Sequence, residues 1–416
     1  MSDQKIRILQ AIRYRTKSRQ VQDGEMNMSV MITRLSAVAV RVPLATPVLA
    51  PQLKISFRDY LLVMLECSDN SRGIGFSYIG TGGGKSTAAV FDEFVLQNVL
   101  GADPTNPEAI SKKLKFATRI QGRGGIVANA FSALDIALWD RNSRAAGLPL
   151  AQMINPDAKK VVPAYASGGY LNGEYRPAEL EREIKSALDA GFASIKLKCA
   201  FGSQQDDIDR VKTARRFMGD KTNLMLDAYN RWTRVEDALP SVMAYQDVHP
   251  YWVEDPFEPD MTEELSDLNR QVGAVLATGE FYFSPAAFQA MATRKAVGVF
   301  QAEAPRCGGI TDWLKIADIA QANGIEFSPC WFHDLHVHLV AASPAAKFVE
   351  YFPTRDILNF AELIDRPVIA RDGEIAVPQE PGVGFDFIMD AVEKYALAPA
   401  ITGTFDTPTL VQAAAI

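Results

Sequence analysis

Residues 193–280 decide the fold, because they contain ASIKLK at 193–198, LMLD at 224–227, YWVE at 251–254 and AVLATGE at 274–280. Each of the last three segments is a short apolar run that ends in a carboxylate. Their acidic residues are 27 and 26 positions apart, which is about the length of one strand, one helix and two loops. This period predicts repeated β/α units that form a parallel barrel.

The first of these segments ends in two lysines, Lys196 and Lys198. Because side chains alternate along a strand, both lysines point to the same side. In a TIM barrel the carboxyl ends of the strands meet at one mouth, and that mouth is the active site. We therefore expect Asp227, Glu254 and Glu280 to converge there with the two lysines.

Three neighbouring carboxylates repel one another unless a cation lies between them. Oxygen ligands suit a hard divalent ion such as Mg²⁺, and three ligands leave coordination positions for substrate and water. A lysine beside such a cation has its ammonium form disfavoured, so it can act as a general base near neutral pH. A metal together with a base is what removal of a proton next to a carboxylate requires.

This pattern resembles the enolase superfamily and, within it, the group of mandelate racemases and acid-sugar dehydratases. The motifs that carry the resemblance are KLK at 196–198, Asp227, VEDP at 253–256, GE at 279–280, CGGIT at 307–311 and AFSALDIALWD at 130–140. The resemblance covers roughly residues 31 to 390. Proton abstraction by a lysine with the help of Mg²⁺ is established for the superfamily.

The resemblance implies an α/β fold, a modified TIM barrel of the (β/α)₇β type with an N-terminal α+β capping domain. It implies one Mg²⁺ held by Asp227, Glu254 and Glu280. It also implies that Lys198 abstracts the proton and that Lys196 helps to neutralise the substrate carboxylate.

Composition limits the function further. With 416 residues, 48% hydrophobic and 22% charged, the chain has room for two domains. A net charge of −7 gives no basic face for nucleic acid, and no apolar run is long enough to span a bilayer. The four cysteines lack a CxxC pair and are typical of reduced thiols. We expect a cytoplasmic homo-oligomer that binds a small carboxylic acid and neither nucleic acid nor membrane.

The chain divides into four segments. Residues 1–30 are basic without an apolar signal-peptide core, which favours a disordered leader over a helical address or an oligomer arm. We assign 31–155 to the capping domain, 156–376 to the barrel and 377–416 to a C-terminal segment that returns to the capping domain.

Within the capping domain, alternating residues at 32–42 and an apolar run at 60–67 predict two strands, with a proline-containing loop at 44–57 between them. The glycine-rich loop at 78–85 lacks the P-loop spacing, so it does not indicate nucleotide binding. In the family that the chain resembles, both loops close over the substrate. Helical patterns follow at 86–100, 107–116 and 124–146.

The barrel strands begin with VVPAYA at 161–166, and apolar runs recur near 193, 223, 250, 274, 297 and 325. The candidate for the eighth strand is ILNF at 357–360.

The second half of the site departs from the family that the chain resembles. Where racemase-like members place an Asp and a His, anchoring on the flanking motifs gives Glu303 and Cys330. Three interpretations of Cys330 stay open. It is a small buried filler, or an acid/base opposite Lys198 whose thiol pKa is lowered, or it makes room for Glu303 to be the second acid/base.

Four further residues are candidates for substrate binding. Tyr229 and Asn230 follow the first expected metal ligand, and Glu350 occupies a position where the family often places a group that hydrogen-bonds the substrate carboxylate. His333 is the nearest histidine to Cys330, and a small shift in register would bring it into the site. We interpret His336 and His338 as packing residues, and Arg306 as part of an ion pair within the barrel.

The predicted reaction is Mg²⁺-dependent abstraction of the proton α to a carboxylate, followed by loss of water from a hydroxy acid or acid sugar. Elimination needs one base and one nearby proton donor. Racemisation or epimerisation of a 2-hydroxy or amino acid is the alternative, and it needs competent groups on both faces of the substrate. A non-catalytic binding protein on the same fold is the second alternative.

Overall fold

A computed structural model describes residues 30–50, 53–170, 176–354 and 356–405. The expected leader therefore lies, apart from Val30, outside the described residues. Two sheets occur among these residues, an antiparallel sheet of four strands and a mainly parallel sheet of nine strands. The α/β class is thus confirmed. No helix within the described ranges is long and apolar enough to cross a membrane.

The antiparallel sheet has the order β13-β1-β2-β3, and its strands are β1 (Ile32–Ala50), β2 (Leu53–Cys67), β3 (Arg72–Gly80) and β13 (Ile401–Thr404). Because β13 pairs with β1, the C-terminal segment completes this sheet. The capping helices are α1 (Gly84–Val90), continued by a π-helical segment at Phe91–Leu96 and by α2 (Gln97–Val99), then α3 (Pro107–Ala117), α4 (Gly125–Ala145) and α5 (Leu150–Ile154). The three predicted helical segments are thereby confirmed.

The predicted loop at 44–57 is wrong, because β1 and β2 continue through most of it as a long hairpin. Val48 pairs with Ile55 after a register shift that begins at Pro43. Both paired residues are buried, so the apolar side chains favour a strand here despite the proline. The irregularity in register accommodates Pro43, which has no N–H to donate to the ladder.

The parallel sheet curls into the predicted barrel. Its eight barrel strands are β4 (Val161–Gly168), β5 (Ser194–Lys198), β6 (Asn223–Asp227), β7 (Trp252–Glu254), β8 (Leu276–Thr278), β9 (Val299–Phe300), β10 (Glu326–Phe327) and β11 (Val349–Tyr351). β12 (Glu374–Ala376) is a ninth strand, antiparallel to β4. The helices after the strands are α6 (Pro177–Asp189), α7 (Gln204–Met218), α8 (Val235–Tyr245), α9 (Thr262–Gln271), α10 (Pro285–Arg294), α11 (Ile310–Asn323) and α12 (His333–Ala342), and α13 (Met389–Tyr395) precedes β13.

The barrel closes at a narrow seam between β10 and the residues just before β11. One bridge, Phe327 to Ala346, joins them, and the Lys347 amide donates to the Phe327 carbonyl at 2.9 Å. Below the mouth, an inner layer of buried side chains fills the barrel, consisting of Tyr165, Met225, Trp252, Ala277, Val299 and Phe348. This floor leaves only the mouth for chemistry.

The candidate eighth strand at 357–360 is wrong. The eighth strand is β11, which pairs with β4 and carries Glu350. The apolar run at 357–360 is buried instead against the capping domain, where the Phe360 ring stacks on Phe76 with centroids 4.1 Å apart. The run is therefore hydrophobic because it is buried between cap and barrel, and not because it forms a strand.

Asn359 fixes the capping sheet to the barrel. Its Oδ1 accepts from the Tyr60 hydroxyl at 2.8 Å, and its Nδ2 donates to the carbonyls of Val42 and Pro43 at 3.0 and 3.1 Å. A second connection joins α4 to α11, where the Thr311 amide donates to Asp135 at 2.9 Å. The cap therefore lies directly over the barrel mouth.

Candidate active site

The two lysines lie at the mouth as the alternation predicted. Strand register places Lys198 beside Asp227, and Asp227 beside Glu254. The Lys196 ammonium lies 2.8 Å from Glu254 and 2.8 Å from Glu350, and Lys198 hydrogen-bonds Asp227. All five side chains are buried, so the barrel scaffold brings together charges that water does not screen.

These carboxylates determine the proton affinity of the lysines. Burial favours the neutral amine of Lys198, but the adjacent Asp227 outweighs it and raises the pKa of Lys198 above its ordinary value. Burial likewise favours the neutral amine of Lys196, but the charges of Glu254 and Glu350 outweigh it and raise the pKa of Lys196. A cation that engaged Asp227 would therefore weaken the interaction that keeps Lys198 protonated.

The expected metal ligands are all present at the mouth, but they are not drawn into one cluster. Asp227 and Glu254 are held by the lysines, and Glu254 also accepts from the Gln301 side chain at 2.8 Å. Glu280 accepts from the Trp331 indole at 2.9 Å. Among the described residues, the ligand atoms that lie within 4.8 Å of one another belong to Glu280, Glu303 and Cys330.

The donor set nevertheless fits a hard divalent cation. Burial, with the charge of Asp227 next, raises the pKa of Glu254 to about 8. Burial and the neighbouring Glu280 likewise raise the pKa of Asp255, which follows Glu254. Buried carboxylates that oppose one another's ionisation are stabilised by a multiply charged ion, and carboxylate oxygens are the ligands that Mg²⁺ prefers.

Glu303 lies at the mouth just after β9. β9 is the sixth barrel strand and β5 the second, so Glu303 and Lys198 approach the centre from opposite sides. One carboxylate oxygen, Oε2, is buried with no hydrogen-bond partner among the described residues. Burial raises the pKa of Glu303 well above its ordinary value, although Arg306 acts in the other direction. The protonated acid is therefore favoured.

Cys330 lies beside Glu303, with its sulfur 3.7 Å from Glu303 Oε1 and 3.2 Å from the Gln301 carbonyl. Burial and the Glu303 charge raise the pKa of the thiol. Since only a thiolate would act as a base, this environment does not favour the second of the three interpretations of Cys330.

Tyr229 and Asn230 follow β6 in the left-handed region, with φ of 54° and 55°. The Tyr229 amide donates to Asp227 at 2.9 Å, and the Lys198 ammonium lies 5.0 Å from the Tyr229 ring centroid. Asn230 Oδ1 is buried without a partner among the described residues. Left-handed non-glycine residues are unusual, and they often occur at functional sites.

Glu350 is part of the site, whereas His333 is not brought to it. The His333 ring packs on Tyr351 with centroids 4.8 Å apart. Tyr351 follows Glu350 in β11, so its side chain points away from the barrel interior. His336 and His338 are fully buried and hydrogen-bonded to backbone groups, as expected for packing residues.

Arg306 makes no ion pair among the described residues, so the expected ion pair is not seen. Its guanidinium instead faces the rings of Phe281, Phe283 and Tyr78 at 5.3, 5.5 and 5.9 Å.

Sequence reasoning missed three residues of the mouth. Trp331 links the site, because its indole donates to Glu280 and its amide donates to Glu350 at 2.6 Å. The Tyr170 ring lies 5.2 Å from the Lys198 ammonium, and Arg58 reaches the Trp331 ring from the capping sheet. In the sequence, the only indication that Trp331 belongs to the site is its position next to Cys330. Arg58 carried no signal, because its contact depends on how the cap docks.

A parallel barrel with paired lysines facing carboxylates at its mouth, beneath an antiparallel capping sheet, defines an enzyme of the enolase type. Comparison with known families supports this class. Residues 32–155 match the mandelate racemase / muconate lactonizing enzyme N-terminal domain, and residues 179–391 match the enolase C-terminal domain-like family. The chain belongs to the mandelate racemase/muconate lactonizing enzyme family of the enolase superfamily.

Relatives share most of the length of the chain. It is 31% identical to L-talarate/galactarate dehydratase of Salmonella typhimurium, over 83% of this chain and 86% of the relative. It is also 31% identical to 3,6-anhydro-alpha-L-galactonate cycloisomerase of Streptomyces coelicolor, over 85% of this chain and 96% of the relative. A solved structure of L-talarate dehydratase from Polaromonas sp. JS666, complexed with Mg and L-glucarate, has a TM-score of 0.81 and 29% identity, covering 91% of this chain and 100% of that one.

Proposed function

We propose that this enzyme removes the proton α to the carboxylate of an acid sugar and eliminates water, with Mg²⁺ as its cofactor. The observation that carries the proposal is the placement of a base and an acid on opposite sides of one mouth. Lys198 is on the second barrel strand, and Glu303 follows the sixth. The names of the relatives support the substrate class, since they include talarate/galactarate dehydratase and arabinonate dehydratase.

Asp227, Glu254 and Glu280 would hold the Mg²⁺. When bound, the metal supplies positive charge that stabilises the substrate anion formed by loss of the α-proton. Lys196, fixed by Glu350, faces the substrate carboxylate and offsets its charge.

Lys198 takes the α-proton on one face of the substrate. Glu303, whose pKa burial raises, gives its proton to the departing hydroxyl on the other face, and water leaves. Cys330 is the small residue that leaves room for the longer acid. The product is an enol that becomes a 2-keto-3-deoxy acid.

The experiment is to incubate the Mg²⁺-loaded enzyme with a panel of acid sugars and to measure 2-keto acid formation. Loss of water with α-proton exchange supports the proposal. Inversion at the α-carbon without loss of water would instead establish the racemase or epimerase alternative.

We expect Glu303→Gln to lower the rate of dehydration by about 10²–10⁴-fold, the contribution of a general acid. Exchange of the α-proton with deuterium should persist, because it needs only Lys198. Cys330→Ala should cost far less, and Cys67→Ala, a buried thiol of the capping sheet, is its control. An equal loss in Cys330→Ala and Glu303→Gln would contradict the role given to Glu303.

We further propose the division into a capping domain at 31–155, a barrel at 156–376 and a returning segment at 377–416. The pairing of β13 with β1 supports the last boundary. We also propose a cytoplasmic homo-oligomer. The four free, buried thiols support the reducing compartment, and light scattering on the purified chain tests the assembly.

A further inference from the structure

A buried guanidinium faces the barrel mouth from the capping sheet. Arg58, in β2, is only 2% exposed. Its Nε donates to the Ile357 carbonyl at 2.6 Å, and its Nη1 donates to the Tyr78 hydroxyl. Its Cζ lies 4.6 Å from the centroid of the Trp331 ring. The charge is thus surrounded by aromatic side chains.

No carboxylate of the described residues forms an ion pair with Arg58. Arg141 pairs with Asp69 and Arg144 pairs with Asp140. The partly buried Arg306, like Arg58, has no ion pair among the described residues. A buried cation is costly unless an anion compensates it. Arg58 is more deeply buried than Arg306, so its lack of a negative partner is the more costly, and it leaves a place for an anion from outside the chain.

A purely structural role accounts for only some of this arrangement. The hydrogen bond to Ile357 ties β2 to the segment after the eighth strand. However, Asn359 already makes that connection through Tyr60, Val42 and Pro43. The bond to Ile357 needs only a neutral donor, so it gives no reason for a full positive charge at this depth.

The position of Arg58 relates it to the reacting groups. The Trp331 ring under its guanidinium donates to Glu280 through the indole, and the Trp331 amide donates to Glu350. Glu350 in turn contacts Lys196. Arg58 is therefore one aromatic side chain away from the groups assigned to the metal and the reacting carboxylate, on the side of the cap.

We propose that Arg58 binds a second carboxylate, at the far end of the substrate, so that the enzyme acts on sugar diacids in preference to monoacids. This proposal rests on the proposed function. A guanidinium offers two parallel N–H donors that match a carboxylate, and Tyr78 lies beside it with a hydroxyl. The reacting carboxylate would bind at Lys196 and the distal one at Arg58.

The test compares diacid and monoacid pairs that differ only in the terminal carboxylate, galactarate with galactonate and glucarate with gluconate. We expect the wild-type enzyme to have the higher kcat/KM for a diacid. Arg58→Met should lower that value by about 10–100-fold, the worth of a charge-assisted hydrogen bond, mainly through KM. The kcat/KM for the monoacid should change little. Arg58→Lys should have a diacid kcat/KM between those of the wild type and Arg58→Met.

Arg41→Met is the matched control, because Arg41 lies on the neighbouring strand and already pairs with Asp59. Its diacid-to-monoacid ratio should equal that of the wild type. A purely structural role of Arg58 predicts a lower melting temperature in Arg58→Met with an unchanged ratio. That result, or a wild-type enzyme that uses both acids equally, would overturn the proposal.

Calorimetry on the Mg²⁺-loaded Lys198→Ala variant separates this proposal from the proposed function. If neither acid is dehydrated by the wild type, but a diacid binds this variant more tightly than its monoacid and a second change, Arg58→Met, removes the difference, the subsite stands and the dehydratase proposal fails. If dehydration occurs with no diacid preference in binding or turnover, the dehydratase proposal stands and the subsite fails.

Discussion

Lys198→Ala is expected to abolish exchange of the substrate α-proton with deuterium, a loss of at least the roughly 10²–10⁴-fold that a general base contributes. Lys198 is buried and lies against Asp227 and the rings of Tyr170 and Tyr229. Its neighbour Lys196 is held by Glu254 and Glu350, so Lys196 is not free to replace Lys198 as the base. Mass spectrometry of the recovered acid gives the measurement.

Lys198→Arg makes this test sharper. Arginine keeps the positive charge beside Asp227 but does not lose its proton at any ordinary pH. We therefore expect it to abolish exchange as alanine does. Lys185→Ala, at an exposed position of α6, should exchange at the wild-type rate. Exchange that survives in both Lys198 variants would show that the base has been misassigned.

Asp227→Asn is expected to weaken Mg²⁺ binding by at least about 100-fold and to remove activity. Loss of residues that merely orient a metal ligand costs about 10–100-fold in affinity, and loss of a ligand should cost at least as much. The neutral amide also leaves Lys198 without its ion pair, so we expect a lower melting temperature. Calorimetry with Mg²⁺ and circular dichroism separate the two effects.

Asp220→Asn is the control, because Asp220 is an exposed carboxylate that precedes β6. Its Mg²⁺ affinity should equal that of the wild type. Unchanged affinity in Asp227→Asn as well would mean that the metal binds elsewhere, with Glu280, Glu303 and Cys330 as the next set of ligands to test.

The elements of the fold that repeat could be predicted from the sequence. Carboxylates that recur at the length of a β/α unit placed Asp227 and Glu254 on neighbouring strands, and alternation placed Lys196 and Lys198 on one face. These predictions succeeded because strand period and barrel topology are local rules. The prediction of the eighth strand failed because β11 is only three residues long and the charged Glu350 interrupts its apolar run, so the uninterrupted run at 357–360 gave the stronger signal.

Contacts between the cap and the barrel were not predictable in the same way. Arg58 meets Trp331, and Phe76 meets Phe360, only after the capping sheet docks on the barrel, and no sequence period encodes that docking. His333 was placed near the site by its position in the chain. The backbone at Trp331 and Phe332 turns through positive φ, and His333 then packs on the outer face of β11.

The narrow seam of the barrel has a mechanical consequence. β5 and β6 share five paired positions, whereas one bridge joins β10 to Ala346, just before β11. Segments held by fewer hydrogen bonds open more often. We therefore expect local opening to reach Cys330 and Glu350, near the seam, before it reaches Lys198 and Asp227. If Lys198 and Glu303 act as proposed, proton removal takes place on the more rigid side of the mouth and loss of the hydroxyl on the more mobile side.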